Sequence, residues 1–336
     1  MPNIAFFNNK GGVGKTSLVY HLSCMYADRG VRVLAIDLDP QANLSAMFLA
    51  EERLEELLSP AFSRPTILGS VQPIIEGVGD VASVHVETVQ IESDDISLVV
   101  GDLGLSAFED RLSESWPKTL DRDLAALRVT TAFARLIEEA AVRVSAEVVL
   151  IDVGPNLGAI NRAALIASDH VVVPLAPDLF SLQGLRNLGP TLRQWRTGWR
   201  RRRMENSSSP LDLPKGDMRP VGYVVLQHAM RLDRPVKAYR PWLDAVPNTF
   251  RQSVMDEDGD YTLDDIRSDF YCLGLLKNYR SLMPLAQDSR KPMFFLRVAD
   301  GALGAQQGAV KECYADFYYI AEGIAQKCGF GPDEFK

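Results

Sequence analysis

The chain has 336 residues, 46% hydrophobic and 24% charged, with 36 Lys and Arg against 44 Asp and Glu, a net charge of −8 and a pI near 5.2. Such a composition builds a full apolar core without disulfides or structural metals, and its acidic balance excludes a protein that coats nucleic acid over its whole surface, leaving room for a local basic patch. The four cysteines, Cys24, Cys272, Cys313 and Cys328, lack metal-ligand spacing, and no run of about 18 apolar residues occurs, so a cytoplasmic chain that neither spans nor binds a membrane is expected.

In chain order, apolar runs at residues 4–7, 31–36, 96–100, 148–151, 171–174 and 221–226 read as strands. Most are apolar throughout, as in parallel strands covered by helices on both faces. Helical patterns at 15–28, 125–144, 156–167 and 179–199 alternate with them, and Gly30 follows the first where a C-terminal cap belongs. This order predicts an α/β fold, doubly wound, with a mainly parallel sheet and helices on both faces. We expect one domain over residues 1–336, with insertions at about 51–95 and 198–265, where the connections exceed ordinary length. Within the acidic stretch 256–269, Asp256, Asp258, Gly259 and Asp260 resemble a calcium loop only in part. The glycine should be sixth, and the glutamate at position twelve is absent.

The first strand runs into Asn9-Lys-Gly-Gly-Val-Gly-Lys-Thr16. A phosphate cradle needs converging backbone N–H groups, and Gly11, Gly12 and Gly14 provide them where a side chain would block approach or forbid the dihedrals. Gly11, Gly12, Val13, Gly14, Lys15, Thr16 and Ser17 are therefore the candidate ATP-binding segment. Lys15 supplies a point charge for the β and γ phosphates, Thr16 a hydroxyl for Mg²⁺, and the next helix its positive end. The second strand ends in Asp37-Leu-Asp39-Pro-Gln41 at the edge where ligands sit in such sheets. Alternation along a strand would place both carboxylates on one side, toward a common magnesium and water site. Asp152 ends the strand at 148–151 in the manner of a Walker B acid, so Thr16, Asp37 and Asp152 form the expected metal set. Phosphoryl transfer asks little covalent work of the protein, so lysines, magnesium and a positioned water are a sufficient apparatus.

Two departures from the ordinary loop are specific: Asn9 replaces its first glycine, and a second lysine, Lys10, stands beside it. With these, residues 10–16 resemble the deviant Walker A motif of the ParA/MinD family of P-loop ATPases. Asp37-Leu-Asp-Pro-Gln41 is similar to that family's switch I, and Asp152-Val-Gly-Pro155 followed by Asn156-Leu-Gly158 is similar to its switch II. Likeness continues at 171–174, 178–184, 221–223 and 289–292. The resemblance implies an ATP-dependent homodimer in which Lys10 contacts phosphate across the interface. It also implies catalytic roles for Lys10, Lys15 and Asp39, the last orienting the attacking water, and a protein partner that stimulates slow hydrolysis. The family usually has Asp-x-Pro-Pro at switch II; Gly154 here predicts a looser turn.

The densest basic stretch is residues 193–203, where helical spacing aligns Arg193, Arg196, Arg200 and Arg203 beside Trp195 and Trp199. We read that stripe as a candidate surface for nonspecific DNA, with Arg280, Arg290 and Lys291 as weaker members. The alternative is a solvated helix end whose tryptophans pack on the body. The chain starts at its first strand, without the N-terminal helix-turn-helix of some ParA relatives, so sequence-specific DNA reading is not expected. DNA partition or cargo positioning is the process this pattern suggests. Two other readings stand beside it: a MinD-like or protein-partner positioning ATPase that does not use DNA, and a metabolic P-loop ligase or kinase with a deep second-substrate pocket. An iron–sulfur reductase is disfavoured, because Cys272, the cysteine nearest switch II, lies over a hundred residues away.

Overall fold

The computed structural model describes residues 1–59, 64–228, 230–231, 234–235, 240–259, 261, 263–279 and 281–332. Its strands are β1 (Asn3–Phe6), β2 (Val33–Asp37), β3 (Glu87–Ile91), β4 (Asp94–Val99), β5 (Val148–Asp152), β6 (His170–Leu175), β7 (Arg219–His228), β8 (Met230–Arg231), β9 (Arg234–Pro235) and β10 (Cys272–Lys277). The helices of the amino-terminal half are α1 (Lys15–Asp28), α2 (Asn43–Phe48), α3 (Glu51–Leu58), α4 (Ile67–Glu76), α5 (Phe108–Lys118), α6 (Leu124–Thr130) and α7 (Ala132–Arg143). They are followed by α8 (Ala159–Ile166), α9 (Leu179–Glu205), α10 (Arg240–Thr249), α11 (Met283–Ser289) and α12 (Ala305–Cys328).

Eight strands form one sheet in the order β10-β7-β6-β1-β5-β2-β4-β3, parallel except for the β3–β4 edge pair, while β8 and β9 make a separate antiparallel pair. Period-two alternation splits the strand side chains between two cores. Ala5, Leu34, Ile36, Ile151 and Val173 face one, with α4, α5, α7, α8 and α9; Ile4, Phe6, Val33, Ala35, Leu150 and Val172 face the other, with α1 and α12. Helices on both faces confirm the doubly wound reading. Among the described residues no helix is long and apolar enough to cross a membrane.

Where the structure differs from the sequence reading, local causes are visible. β3 is an edge strand with polar Glu87 and Gln90, and β10 is interrupted by Gly274, so neither presents a continuous apolar run. The pattern at 125–144 is two helices, because Thr131 leaves helical geometry at φ −99°, ψ 8°. α8 starts at Ala159 rather than 156, since residues 156–158 belong to a loop, and α9 continues past 199 to Glu205. The stretch 51–95 holds α3, α4 and β3. The stretch 198–265 holds the end of α9, β7, α10 and a π-helical turn, Phe250–Met255, which closes at Asp256; Asp260 of the calcium-like string lies outside the described residues.

That π-helical turn lies directly on α9: a Cβ on Gly189 would come within 1.7 Å of the Ser253 carbonyl, so the two backbones touch. Arg251 anchors the same segment, pairing with Asp269 at 2.5 Å and Glu257 at 3.1 Å between the rings of Tyr261 and Tyr271.

Candidate nucleotide site

Register places the functional strand ends at one level. Asp152 of β5 pairs with Phe6 of β1 on one side and with Asp37 of β2 on the other. The loop after β1 and both acids therefore meet at the carboxyl edge. Gly12 and Gly14 sit at φ +72° and +93°, which L side chains resist, and Gly14 leads directly into α1. A Cβ on Gly12 would meet no atom within 4 Å, and one on Gly11 would meet only Pro155 at 3.8 Å, so the cradle is open on its ligand side. A cavity of about 890 Å³ lies over it. Its lining includes Gly11, Gly12, Gly14, Lys15, Thr16, Ser17, Asp39, Gln41 and Pro155, together with Met283, Ala286, Gln287, Arg290 and Lys291.

The acids differ in environment. Asp152 is fully buried, and both its carboxylate oxygens lack a hydrogen-bond partner. Burial first, and then the charge of Asp37, push its pKa up to about 8, opposed by Thr16 and Lys15. Thr16 is thus close enough to act on Asp152 without closing a bond of hydrogen-bond geometry. Asp37 is also fully buried, and burial raises it to about 6, but its oxygens are occupied. Oδ2 accepts from both the N–H and the hydroxyl of Ser45, and Oδ1 from the Asp39 N–H at 3.3 Å. β2 ends at Asp37, so alternation no longer governs Asp39. Asp39 instead turns through Gln41, whose N–H donates to its Oδ1 at 3.0 Å, and lies against Gly154: a Cβ there would be 3.3 Å from Asp39 Oδ1. Lys15 is buried, and desolvation lowers its pKa while Asp152 and Asp39 pull the other way.

These residues fit a magnesium–nucleotide. Two orphaned carboxylate oxygens and a facing hydroxyl are an arrangement that a hard cation satisfies, and a cradle of backbone donors with a buried lysine suits phosphates. Among the described residues no three His, Cys, Asp or Glu side chains are grouped to hold a metal by themselves. Magnesium is usually shared among one or two carboxylates, substrate phosphates and water.

Lys10 is not among the residues lining the cavity. Its ammonium pairs with the carboxylate of Asp178, the residue that caps α9 by accepting the Ser181 N–H at 2.9 Å. The exposed ring of Phe180 lies 5.9 Å from the same ammonium.

Three residues that the sequence reading passed over complete the site. Ser45 holds Asp37 and also accepts the Gly101 N–H at 2.8 Å. Asn161 holds the Gly154 and Asn156 carbonyls, so the turn expected to be loose at Gly154 is pinned, and Glu109 holds the first turn of α8 from which Asn161 projects. A polar residue in the first turn of α8 was the available signal for Asn161; nothing local marks Glu109, which arrives from α5.

The arginine stripe is less free than helical spacing implies. Arg193 donates to the Ser253 carbonyl and Arg196 to that of Met218, each at 2.7 Å, and Arg203 reaches the Lys215 carbonyl at 3.3 Å. Arg202 is buried against Trp116, and Trp195 and Trp199 are buried as well. Arg200 and Arg201 are exposed. Arg290 and Lys291 line the nucleotide cavity, with Lys291 paired to Glu92 and Asp300, and Arg280 lies outside the described residues.

Comparison with known proteins agrees with this geometry. A family model described as AAA domain matches residues 1–203. The sporulation initiation inhibitor protein Soj of Bacillus subtilis is 29% identical over 191 residues, 56% of this chain and 64% of that protein. The chromosome partitioning protein ParA of Caulobacter vibrioides is 29% identical over 195 residues, 57% of this chain and 62% of that protein. The chain thus spans less than two thirds of the length of these curated relatives. Among solved structures, protein DIP2308 from Corynebacterium diphtheriae gives a TM-score of 0.69 at 23% identity, covering 97% of this chain and 98% of that one. A putative plasmid partition protein from Borrelia burgdorferi, bound to AMPPNP, gives 0.57 at 17% identity over 97% and 99%. At such identities the structural likeness is one of fold. With the Lys10–Thr16 loop and its acids, these matches make the chain a member of the AAA domain family and, within it, of the ParA/MinD group of P-loop ATPases.

Proposed function

We propose that this protein is an ATP-dependent dimerising switch that hydrolyses ATP and acts in DNA partition or cargo positioning, holding nonspecific DNA through the exposed arginines of α9. The observation that carries the reading is the place of Lys10: in a complete phosphate site it lines no part of its own cavity and stands beside exposed Phe180. A lysine so placed is available to a nucleotide held by a second copy of the chain.

In this reading the N–H groups of residues 11–17 and the buried Lys15 hold the phosphates, and Thr16 and Asp152 hold magnesium, with Asp37, itself held by Ser45, beside Asp152. Bound magnesium would neutralise charge developing on the β and γ phosphates. Asp39, beside Gly154 at the cavity wall, orients the attacking water, and Lys10 of the second copy completes the charge clamp. Hydrolysis then lets the dimer reopen, stimulated by a protein partner. Relatives named for chromosome partitioning, and neighbours that include a Cyanothece McdA solved with ATP and the Borrelia protein solved with AMPPNP, support the nucleotide and the process.

The test is retention on DNA with ATP, with ADP and without nucleotide, alongside Lys15→Ala and Arg200→Ala. Retention that needs ATP and is lost in both variants supports the reading. Retention indifferent to nucleotide, or none with ATP, removes the DNA step.

A further inference from the structure

We propose that Asn161 is the positioning residue of the loop that follows Asp152, fixing at Gly154 the wall against Asp39 for ATP hydrolysis. The proposal rests on the hydrolysis reading above.

Within that loop Asn156 Oδ1 accepts the Gly158 N–H at 2.9 Å. Residue 154 is glycine and lacks a side chain, yet it forms the surface against Asp39 Oδ1. Its carbonyl, however, is not free. Asn161 Nδ2 donates to the Gly154 carbonyl at 2.8 Å and to the Asn156 carbonyl at 2.6 Å, with Asn156 Oδ1 at 3.1 Å. Three oxygens converge on one amide group, so only a donor fits there; a carboxylate or the carbonyl end of the amide would face oxygen. Asn161 is 1% exposed, which shields these bonds from bulk water, and its Oδ1 is buried without a partner. A buried amide with one end unsatisfied persists where its other end is needed in place.

The clamp is itself clamped. Glu109 of α5 accepts the N–H of Ala159 at 2.5 Å and that of Ile160 at 2.8 Å, holding the first turn of α8 that carries Asn161. Gly158 gives the Glu109 side chain room to approach, since a Cβ there would lie 2.7 Å from Glu109 Oε1. The first turn of α8 therefore holds the loop through Asn161 and is itself fixed to a neighbouring helix through Glu109.

The test compares Asn161→Ala and Asn161→Asp with the unaltered full-length chain by two measurements. Amide hydrogen exchange of residues 153–158 reads positioning, and phosphate release against Mg-ATP concentration reads its consequence. We expect exchange in that segment to rise at least about tenfold in both variants, with turnover falling about 10- to 100-fold and KM within about twofold. Asn161→Asp keeps the side chain's size, so if Asn161→Ala fails to fold the comparison still stands. Unchanged exchange, or a raised KM at unchanged turnover, overturns the proposal. An unaltered chain that releases no phosphate, with exchange raised in the variants, overturns the hydrolysis reading and leaves the positioning role standing.

Discussion

The ammonium of Lys10 rests on the carboxylate of Asp178, so the lysine that distinguishes this phosphate loop is tied, within one chain, to the first turn of α9. The ion pair is partly exposed, and such pairs contribute at most about 1 kcal/mol. It is weak enough to be exchanged for a phosphate of a second chain. Asp178→Asn keeps the cap on Ser181 while removing the charge. The expected result is dimer formation at lower ATP concentration with unfolding free energy within about 1 kcal/mol of the parent, read by light scattering across an ATP titration and by urea denaturation.

His21 gives a pH dependence of definite sign. It is fully buried on α1, stacked on Phe317, with Nδ1 against the Ser17 carbonyl and Nε2 accepting the Met293 N–H at 3.1 Å. Burial lowers its pKa to about 4 from the ordinary 6.5. A depressed folded-state value means that the unfolded chain binds the proton first. The contribution of His21 is therefore complete above about pH 6.5 and declines as pH falls toward about 4, with a ceiling of about 3 kcal/mol. Asp37 and Asp152 have raised values and run the opposite way, gaining stability as pH falls. Urea unfolding of the parent and of His21→Gln between pH 7.5 and 5 isolates the term, because both acids cancel in the difference. The advantage of the parent should shrink with acid; a constant difference would refute the assignment.

The arginines of the α9 end should separate into two kinds. Arg202 donates to the Trp116 carbonyl, Thr119 Oγ1 and the Gly198 carbonyl, with its guanidinium 3.7 Å from the centre of the Trp116 ring. Arg202→Ala should cost about 3 kcal/mol in denaturant unfolding. Arg200→Ala and Arg201→Ala should leave stability within about 0.5 kcal/mol and lower the salt dependence of DNA retention by about 0.9 for each phosphate no longer neutralised. Equal stability losses in all three would show that this end of α9 is structural throughout.

Two glycines in helices test the packing directly. Gly189→Ala would drive a Cβ into the Ser253 carbonyl and should destabilise by more than about 3 kcal/mol. Gly308 in α12 meets nothing within 4 Å, so Gly308→Ala should stabilise by about 0.5–1 kcal/mol. Calorimetric unfolding of both variants reads the contrast.

The parallel core and the phosphate loop were legible because their determinants are local. Apolar runs, the glycines of the loop and the acids at strand ends carry their meaning within a few residues. The partners of those acids are not local. Ser45 reaches Asp37 across eight residues, and Glu109 reaches α8 across fifty, so composition and spacing give no sign of either. The arginine stripe shows the converse limit. Spacing places Arg193 and Arg196 on the expected side of α9, yet a neighbouring backbone turn and the residue leading into β7 take their donors. The second acid of switch I is similar: strand alternation stops at Asp37, and the position of Asp39 depends on a turn and on Gly154, which follows another strand.

In the proposed dimer Lys10 serves a nucleotide held by a second copy of the chain. The direct measurement is the solution mass of the purified protein by analytical ultracentrifugation, with magnesium and a non-hydrolysable ATP analogue, for the parent and for Lys10→Ala. We expect the parent to sediment as a dimer with the analogue and as a monomer without it, and Lys10→Ala to remain monomeric while still binding the analogue. A parent that stays monomeric at saturating analogue, or a Lys10→Ala variant that dimerises equally well, would show that Lys10 has no such role.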